Sequence, residues 1–517
     1  MKTLLSKVLL CAAFCVGNIT NGYCQNDSVK MPHYDQLSLK DLLSIKIVSA
    51  SKKTEFLFDA PLSASVVTKE DIQRTGCTSI MEALRLVPGM IVREESNGNY
   101  DIHLRGMDNV PPNAPFDITS NTTTLVMIDS RPVYSYLRGG TFWETLPIDI
   151  NDVEKIEVIR GPAAALYGPN AVNGVINIIT RQADKQGLFM VANTQQGSYH
   201  TFINNASVGY RFNKKMSMIA SGNYQDRDRT QTSYFEFNRN QPLENPEYFI
   251  NFSGDTVRNV DARYPDPHMG FYKYAGNLFL NYEPTEKIKY SISTGLQHST
   301  VQKVSTENEI TPFSTATSAT GYADFKANIK GLSAQFSYNR GTQATDLDPG
   351  RKYEFHIIGG NIEYNFTKAN FSIKPGLSYT SAVYDDSKYA DAVTKTGLLN
   401  GRGEITTQTA SLRGEYRLMN NKLRLVAGLG ANKFNYPQTT YFSSELAATY
   451  KLTKKNLFRI VFSHAPRSAN IFDTYVTKTI SYYQTGYRNF TRLTLEGNKN
   501  PKLLTAGMFE IGYRGLI

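Results

Sequence analysis

The chemistry this sequence offers is charge placement, not nucleophiles. Its seven histidines are scattered, and no two stand at the spacing of metal ligands. Gly-x-Ser-x-Gly, Walker and zincin patterns are absent, so no enzymatic activity, cofactor or resident metal is expected. The informative ionisable groups lie inside alternating runs. Glu363, Glu415, Glu445 and Glu510 each adjoin an apolar residue: Ile362, Tyr416, Leu446 and Ile511. Successive side chains of a strand point to opposite faces, so each run carries its carboxylate on a polar face and its apolar neighbour on the other. Arg105 and Arg160 each precede a glycine, Gly106 and Gly161. A guanidinium cannot give up its charge and, in a lumen away from bulk water, needs a carboxylate partner. Asp226, Asp228 and Asp266 fall in polar stretches and are candidates for a Ca²⁺ site.

The elements that must position these charges fall into regions. From about Lys185 onward, strand follows strand with period two. Gly276, Leu278, Leu280 and Tyr282 share one face, and Asn277, Phe279 and Asn281 the other. Similar runs cover 290–297, 358–366, 412–418, 423–432, 442–450 and 457–464, each about ten residues, the length of a tilted strand crossing a membrane. Short connections such as Asn213-Lys214 alternate with long polar ones near 226–270, 300–320, 341–355, 380–407 and 464–507. That asymmetry belongs to outer-membrane barrels. A mean hydropathy of −0.36 is compatible with a barrel, because its outward and inward residues average out. With 32 Tyr and 27 Phe against a single Trp, the composition suits aromatic girdles. The net charge of +10 is spread without a basic run, so no nucleic-acid partner is expected.

Ahead of the strands, residues 55–185 mix periods as a compact α/β domain does. Strands are predicted over 64–68, 124–129, 153–160 and 175–180, and short helices over 69–73 and 79–86, the second stopped by Pro88-Gly89. Gly161-Pro162 and Gly168-Pro169 punctuate turns. Residues 1–24 read as a signal peptide: Lys2 and Lys7, an apolar stretch from Val8 to Val16, and a cleavage region at Gly22-Tyr23-Cys24. Residues 25–54 read as a polar arm. Of the four cysteines only Cys77 lies beyond the signal, so no disulfide within the mature chain is expected.

Five stretches of the α/β region resemble, in order and spacing, the plug domain of TonB-dependent outer-membrane receptors. They are 60–71 (APLSASVVTKED), 80–89 (IMEALRLVPG), 103–106 (HLRG), 126–133 (VMIDSRPV) and, above all, 156–181 (IEVIRGPAAALYGPNAVNGVINIITR). Residues 462–469 (FSHAPRSA) and 495–512 (LEGNKNPKLLTAGMFEIG) are similar to barrel segments of that family. The resemblance implies a mainly β protein: an α/β plug at 55–185 inside a large antiparallel transmembrane barrel formed by 186–517, in the outer membrane of a Gram-negative bacterium. It marks Arg105, Gly106, Arg160, Gly161, Pro162, Tyr167, Gly168 and Gly174 as plug-motif residues. Glu363, Glu415, Glu445 and Glu510 become lumen carboxylates, at least one expected to pair with Arg105 or Arg160. It implies import of a scarce small ligand, such as a ferric siderophore or other metal chelate, with cobalamin and haem as alternatives. The import is driven through TonB with ExbB and ExbD, while outer-membrane lipid surrounds the barrel. TonB takes a short apolar segment ahead of the plug by strand addition. Ile45, Lys46, Ile47, Val48, Ser49 and Ala50 are the candidate, expected to be exposed and weakly packed. Ser130 and Pro169 depart from the family, which commonly has Gly and Ser there. Barrels of this class have 22 strands. Once the long polar stretches are set aside, residues 186–517 accommodate only about fourteen of about ten residues each. The expectation is an open, curled sheet around the plug with an edge near 508–513, a receptor with an incomplete barrel that would not transport alone.

Overall fold

The computed structural model describes residues 45–108, 121–183, 186–230, 234–236, 241–243, 247–250, 256–258, 269–303, 310–311, 314–345, 352–390, 397–483 and 490–515. The signal peptide and the arm up to Ser44 lie outside these residues.

The plug is built on nine strands: β1 (Lys46–Ile47), β2 (Glu55–Phe56), β3 (Ser63–Thr68), β4 (Met90–Ser96), β5 (Asn99–Leu104), β6 (Thr124–Ile128), β7 (Arg131–Pro132), β8 (Val153–Arg160) and β9 (Gly174–Thr180). Five of them form a mixed sheet in the order β3-β8-β9-β6-β7, with β6 and β9 parallel. The apolar run of β6 is continuous and that of β9 is broken only by Asn177, because the sheet is covered on both faces. Val126, Ile128, Ile156, Val158, Ile176 and Ile178 share a core with Ile72, Ile80, Leu84 and Trp143 of the plug itself. Their neighbours Leu125, Met127, Ile159 and Val175 turn the other way and pack with Tyr384, Phe434 and Val461 of the large sheet. Each such buried side chain is worth roughly 1.5–3 kcal/mol in transfer free energy. Helix Lys69–Thr75 starts on a capping box, with Thr68 accepting from Asp71 N–H and Asp71 accepting from Thr68 N–H. It ends at Gly76, whose φ of 69° suits a left-handed cap. The hairpin β4–β5 is not legible as a pair of strands in the sequence, because Glu94, Glu95 and Asn97 break its apolar alternation.

Beyond Lys185 the chain forms a fifteen-stranded antiparallel sheet. Fourteen strands lie in one series, from Gly187–Gly197 to Thr505–Gly515, and Phe366–Lys368 pairs off the path. This bears out the mainly β, plug-and-barrel fold class and the expected strand number. Among the described residues the series does not return on itself: the first and last strands are its two ends. The wall curves around the plug, which touches strand Ile288–Lys303 on one side and the strands between Arg402 and Pro466 on another. Leu296, Leu446 and Ile511 on the outer face are more than half exposed, while their neighbours turn inward. No helix among the described residues is long and apolar enough to cross a membrane.

The expected strand length needs correcting. Met269–Thr285 and Arg402–Leu418 each run 17 residues, not ten. The extra residues lie toward the long-connection end, where the ladder continues through stretches whose polar side chains hide the strand pattern. At about 3.4 Å per residue, these strands project well past an apolar band about 25 Å tall.

Candidate functional site at the plug–wall seam

Arg105 closes β5 with a left-handed backbone (φ 54°), and Gly106 follows at 68°. This turn carries the guanidinium to the wall, where Nη2 forms an ion pair with Glu510 and Nη1 lies 3.1 Å from Met508 Sδ. Glu510 also accepts from Arg459, through Nε at 3.0 Å and Nη2 at 2.8 Å. One carboxylate thus serves a plug and a wall guanidinium. Gly161 permits the approach: a Cβ there would stand 2.6 Å from Met508 Sδ, at a φ of 107°. Arg160 differs from the expectation of a carboxylate partner. It donates to the carbonyls of Pro88 (3.2 Å) and Ala64 (3.4 Å) and so ties together parts of the plug. Glu510, the acid that bears on it, is already shared by two other guanidiniums.

The other three glutamates sit on the inner face of the wall. Glu363 meets Lys52 of the plug and, at 2.8 Å, Lys374 of the wall. Glu415 holds Arg424 (2.9 Å) and Arg417 (2.8 Å), both on the wall. Arg424 then reaches the plug, at 2.6 Å from Glu55 and 3.1 Å from the Asp59 carbonyl. Glu445 is buried, 3.7 Å from Arg413, which donates to the Ser51 carbonyl at 3.2 Å. Lys451 pairs with Asp59 at 2.5 Å, and Arg514 donates to the Phe58 carbonyl at 2.8 Å. Most of the seam's charge contacts therefore gather on plug residues 51–59. Sequence reading missed Lys52, Glu55, Asp59, Arg413 and Arg424. Arg413 and Glu415 alternate on one strand face, and that signal was available. Buried pairs of this kind add little net stability, because desolvation offsets the Coulomb gain; they are costly to break singly and fix geometry.

The segment 45–50 is exposed only at Lys46, and its packing overturns the expectation of a weakly packed strand. Ile47, Ser49 and Ala50 are buried. Ile47 and Lys46 pair with Glu55 and Phe56 across the β1–β2 hairpin. Val48 N–H and Ser49 N–H donate to the fully buried Glu157 carboxylate at 3.0 and 2.7 Å. Lys155 Nζ meets the same carboxylate at 2.7 Å. Glu157 interrupts the apolar pattern of β8 on the face toward the wall, and a buried carboxylate there requires donors. The segment supplies two.

The remaining motif residues shape this region. Tyr167 ends helix Ala164–Tyr167 and donates to the Ser49 carbonyl at 2.6 Å; burial pushes its hydroxyl pKa up. Pro162 is buried, and Gly168 turns the chain at φ 77°. Gly174 lies so near Ile159 that a Cβ would stand 2.4 Å from its carbonyl oxygen. Ser130 adopts φ 71°, a conformation that favours glycine. The stretch after Pro466 folds onto the plug: Ser468 N–H donates to Asn170 Oδ1 (2.9 Å) and Ile471 N–H to the Tyr136 carbonyl (2.8 Å).

One histidine does meet acids in space. His103, Asp101 and Asp108 bring ligand atoms within 4.8 Å of one another, a set able to hold a metal ion. Arg93 already bridges both carboxylates, which supplies positive charge without an ion. Of the Ca²⁺ candidates, Asp228 pairs with His200 and Asp226 accepts from Tyr224 at 3.3 Å; Asp266 lies outside the described residues. Cys77 is a free thiol.

Comparison with known proteins gives this geometry a context. The model of the TonB-dependent receptor plug domain matches residues 57–175. The chain is 28% identical over 262 residues to the vitamin B12 transporter BtuB of Vibrio vulnificus, covering 45% of this chain and 39% of that protein. It is 37% identical over 155 residues to the ferric enterobactin receptor of Pseudomonas aeruginosa, covering 26% of this chain and 18% of that protein. The chain thus spans well under half the length of these curated relatives. Among solved structures, a ferric enterobactin receptor from Pseudomonas aeruginosa has a TM-score of 0.61 at 18% identity, covering 87% of this chain and 69% of that one. The siderophore receptor PirA from Acinetobacter baumannii has a TM-score of 0.60 at 18% identity, covering 88% and 68%. At these identities the likeness is one of fold.

Proposed function

We propose that this chain, which carries a TonB-dependent receptor plug domain at residues 57–175 within a receptor-type β-barrel wall, belongs to an outer-membrane importer of a scarce metal chelate. The observation that carries the reading is the seam. A folded domain fills the inside of the wall and is held by shared carboxylates such as Glu510 and Glu363. Such contacts fix the plug in register while leaving it displaceable by an external pull. A passive channel needs neither a plug nor a lock.

In this mechanism the ligand binds at the long-connection end, facing outward. TonB, with ExbB and ExbD, draws on residues 45–50 from the periplasm. Because Val48 and Ser49 are bonded to Glu157, the segment is latched in this state. Coupling requires its release, after which TonB adds a strand to it. A ferric siderophore is the proposed cargo class, supported by the fold shared with siderophore receptors. The longer sequence match to a cobalamin transporter makes cobalamin the second arm of the test. The test is uptake of labelled ferric chelates and labelled cobalamin by cells bearing this receptor, with and without a protonophore. Protonophore-sensitive accumulation of a ferric chelate is expected. Accumulation that ignores the protonophore overturns energised import, and accumulation of cobalamin alone overturns the cargo class.

A further inference from the structure

At the short-turn end, plug and wall meet over only part of their seam, through contacts such as Lys52 with Glu363 and Lys53 with Ser372. A cavity of about 490 Å³ remains between them, floored by Val48 and residues 52–54 of the plug. It reaches the wall turns at Lys287, Gly331 and Asn365. Its size falls in the range of small-molecule sites, about 300–1,000 Å³. Six lysines line it, Lys52, Lys53, Lys287, Lys289, Lys326 and Lys374, against a single acid, Glu363. Lys52 and Lys374 share that one carboxylate. Lys289 meets Glu283 at 2.9 Å, just beyond the lining. Lys53 is spent on a neutral partner, the Ser372 hydroxyl at 2.7 Å.

Register places the wall lysines inside. Lys326 stands opposite Ser291, and Lys289 opposite Asn328. Their neighbours Ile292 and Phe325 are exposed on the outer face. These ammonium groups therefore face the cavity, away from any lipid around the wall. Most of the remaining lining is hydroxyl and amide, including Asn328, Ser333 and Asn361. A concave site lined by one sign of charge with low-dielectric walls focuses its field and concentrates counter-ions.

We propose that this cavity is a binding vestibule for a small oxygen-rich polyanion, of carboxylate, phosphate or catecholate type, on the exit side of the plug. The inference rests on the import reading and narrows its cargo to anionic chelates. The floor of the vestibule continues the segment proposed for coupling, so a pull on residues 45–50 would widen it from below.

The test uses the full chain folded in detergent and pyranine, a pyrene trisulfonate, followed by fluorescence anisotropy at low salt. The comparison is the triple variant Lys287→Gln, Lys289→Gln, Lys326→Gln, whose changes lie on the wall away from the plug contacts. Emission of the plug's tryptophan reports that the variant is folded, and Lys53→Gln serves as an independent probe if it is not. Expected is roughly tenfold weaker pyranine binding in the triple variant, with a shallower salt dependence, and displacement from the parent by citrate or phosphate. Equal binding by parent and variants overturns the proposal. So does displacement by phosphatidylglycerol micelles but not by citrate, which would assign the lysines to lipid headgroups. Uptake is read separately: retained pyranine binding without energised uptake counts against import and not against the vestibule. Absence of pyranine binding by the parent with uptake intact counts against the vestibule alone.

Discussion

Replacing Glu157 by Ala isolates the latch on residues 45–50. The carboxylate is fully buried and accepts from Val48 N–H at 3.0 Å and Ser49 N–H at 2.7 Å. Removing it orphans two backbone donors, each costing about 1–3 kcal/mol when buried. The vacated volume lies beside a lysine, Lys155, and admits water, which recovers part of that cost. A net weakening of about 2–4 kcal/mol raises the released population roughly 30- to 1,000-fold. The surrounding plug sheet keeps Ile156, Val158 and Ile176 in its own core, so release should stay local. Amide hydrogen exchange read by mass spectrometry on the detergent-folded protein reports this directly. Peptides covering 45–56 should exchange faster by that factor, while β8 and β9 remain protected. Glu157→Gln keeps one acceptor oxygen but loses the charge and turns the second oxygen into an amide donor, so its effect should be intermediate. Unchanged exchange over 45–56 in the Ala variant would refute the latch. Equal acceleration throughout the plug would show that Glu157 supports the fold and not the segment.

Further outcomes use the chain's single tryptophan, the buried Trp143, as a reporter of plug unfolding. Arg105→Ala leaves Glu510 paired with Arg459, so a loss of about 1 kcal/mol is expected. Glu510→Ala leaves Arg105 and Arg459 facing each other and should cost about 3 kcal/mol; equal losses would contradict the shared carboxylate. Gly174→Ala forces a methyl group against the Ile159 carbonyl and Leu104, so about 3 kcal/mol or more should be lost, and a midpoint unchanged in urea would contradict that packing. Burial raises the Asp152 carboxyl to about 6, against the lowering effect of the hydrogen bond it accepts from Asp149 N–H. The folded plug then binds that proton more tightly than the unfolded chain, whose value is about 3.9. This contribution is full below the unfolded value and is lost as pH rises toward the folded one. Wild-type stability should fall between about pH 4 and 6, and Asp152→Asn, which keeps the capping acceptor, should flatten that slope; parallel slopes would refute the assignment.

Local rules made much of this molecule legible in the residues. The stretch 156–181 resembles the plug motif, and the covered strands β6 and β9 of the plug sheet follow from their apolar runs. Alternation such as Glu510 beside Ile511 separates an inner from an outer wall face without any coordinates, because strand geometry fixes it residue by residue. The strand number followed from chain length in the same way. Strand length did not: ten residues were expected where Arg402–Leu418 has 17. Past the apolar band the ladder persists through backbone hydrogen bonds, which leave no side-chain pattern. Which cation meets which carboxylate was also beyond the sequence. Arg105 finds Glu510, 405 positions away, while Arg160, whose motif looks equivalent, turns to backbone carbonyls. Pairings of that span depend on the docking of two domains. The fate of residues 45–50 shows the same limit most sharply. An apolar, β-branched run on a polar arm reads as exposed and available. One buried glutamate on β8, invisible as a partner until the sheet is folded, draws its backbone into the plug, because an unsatisfied carboxylate there costs more free energy than ordering the segment.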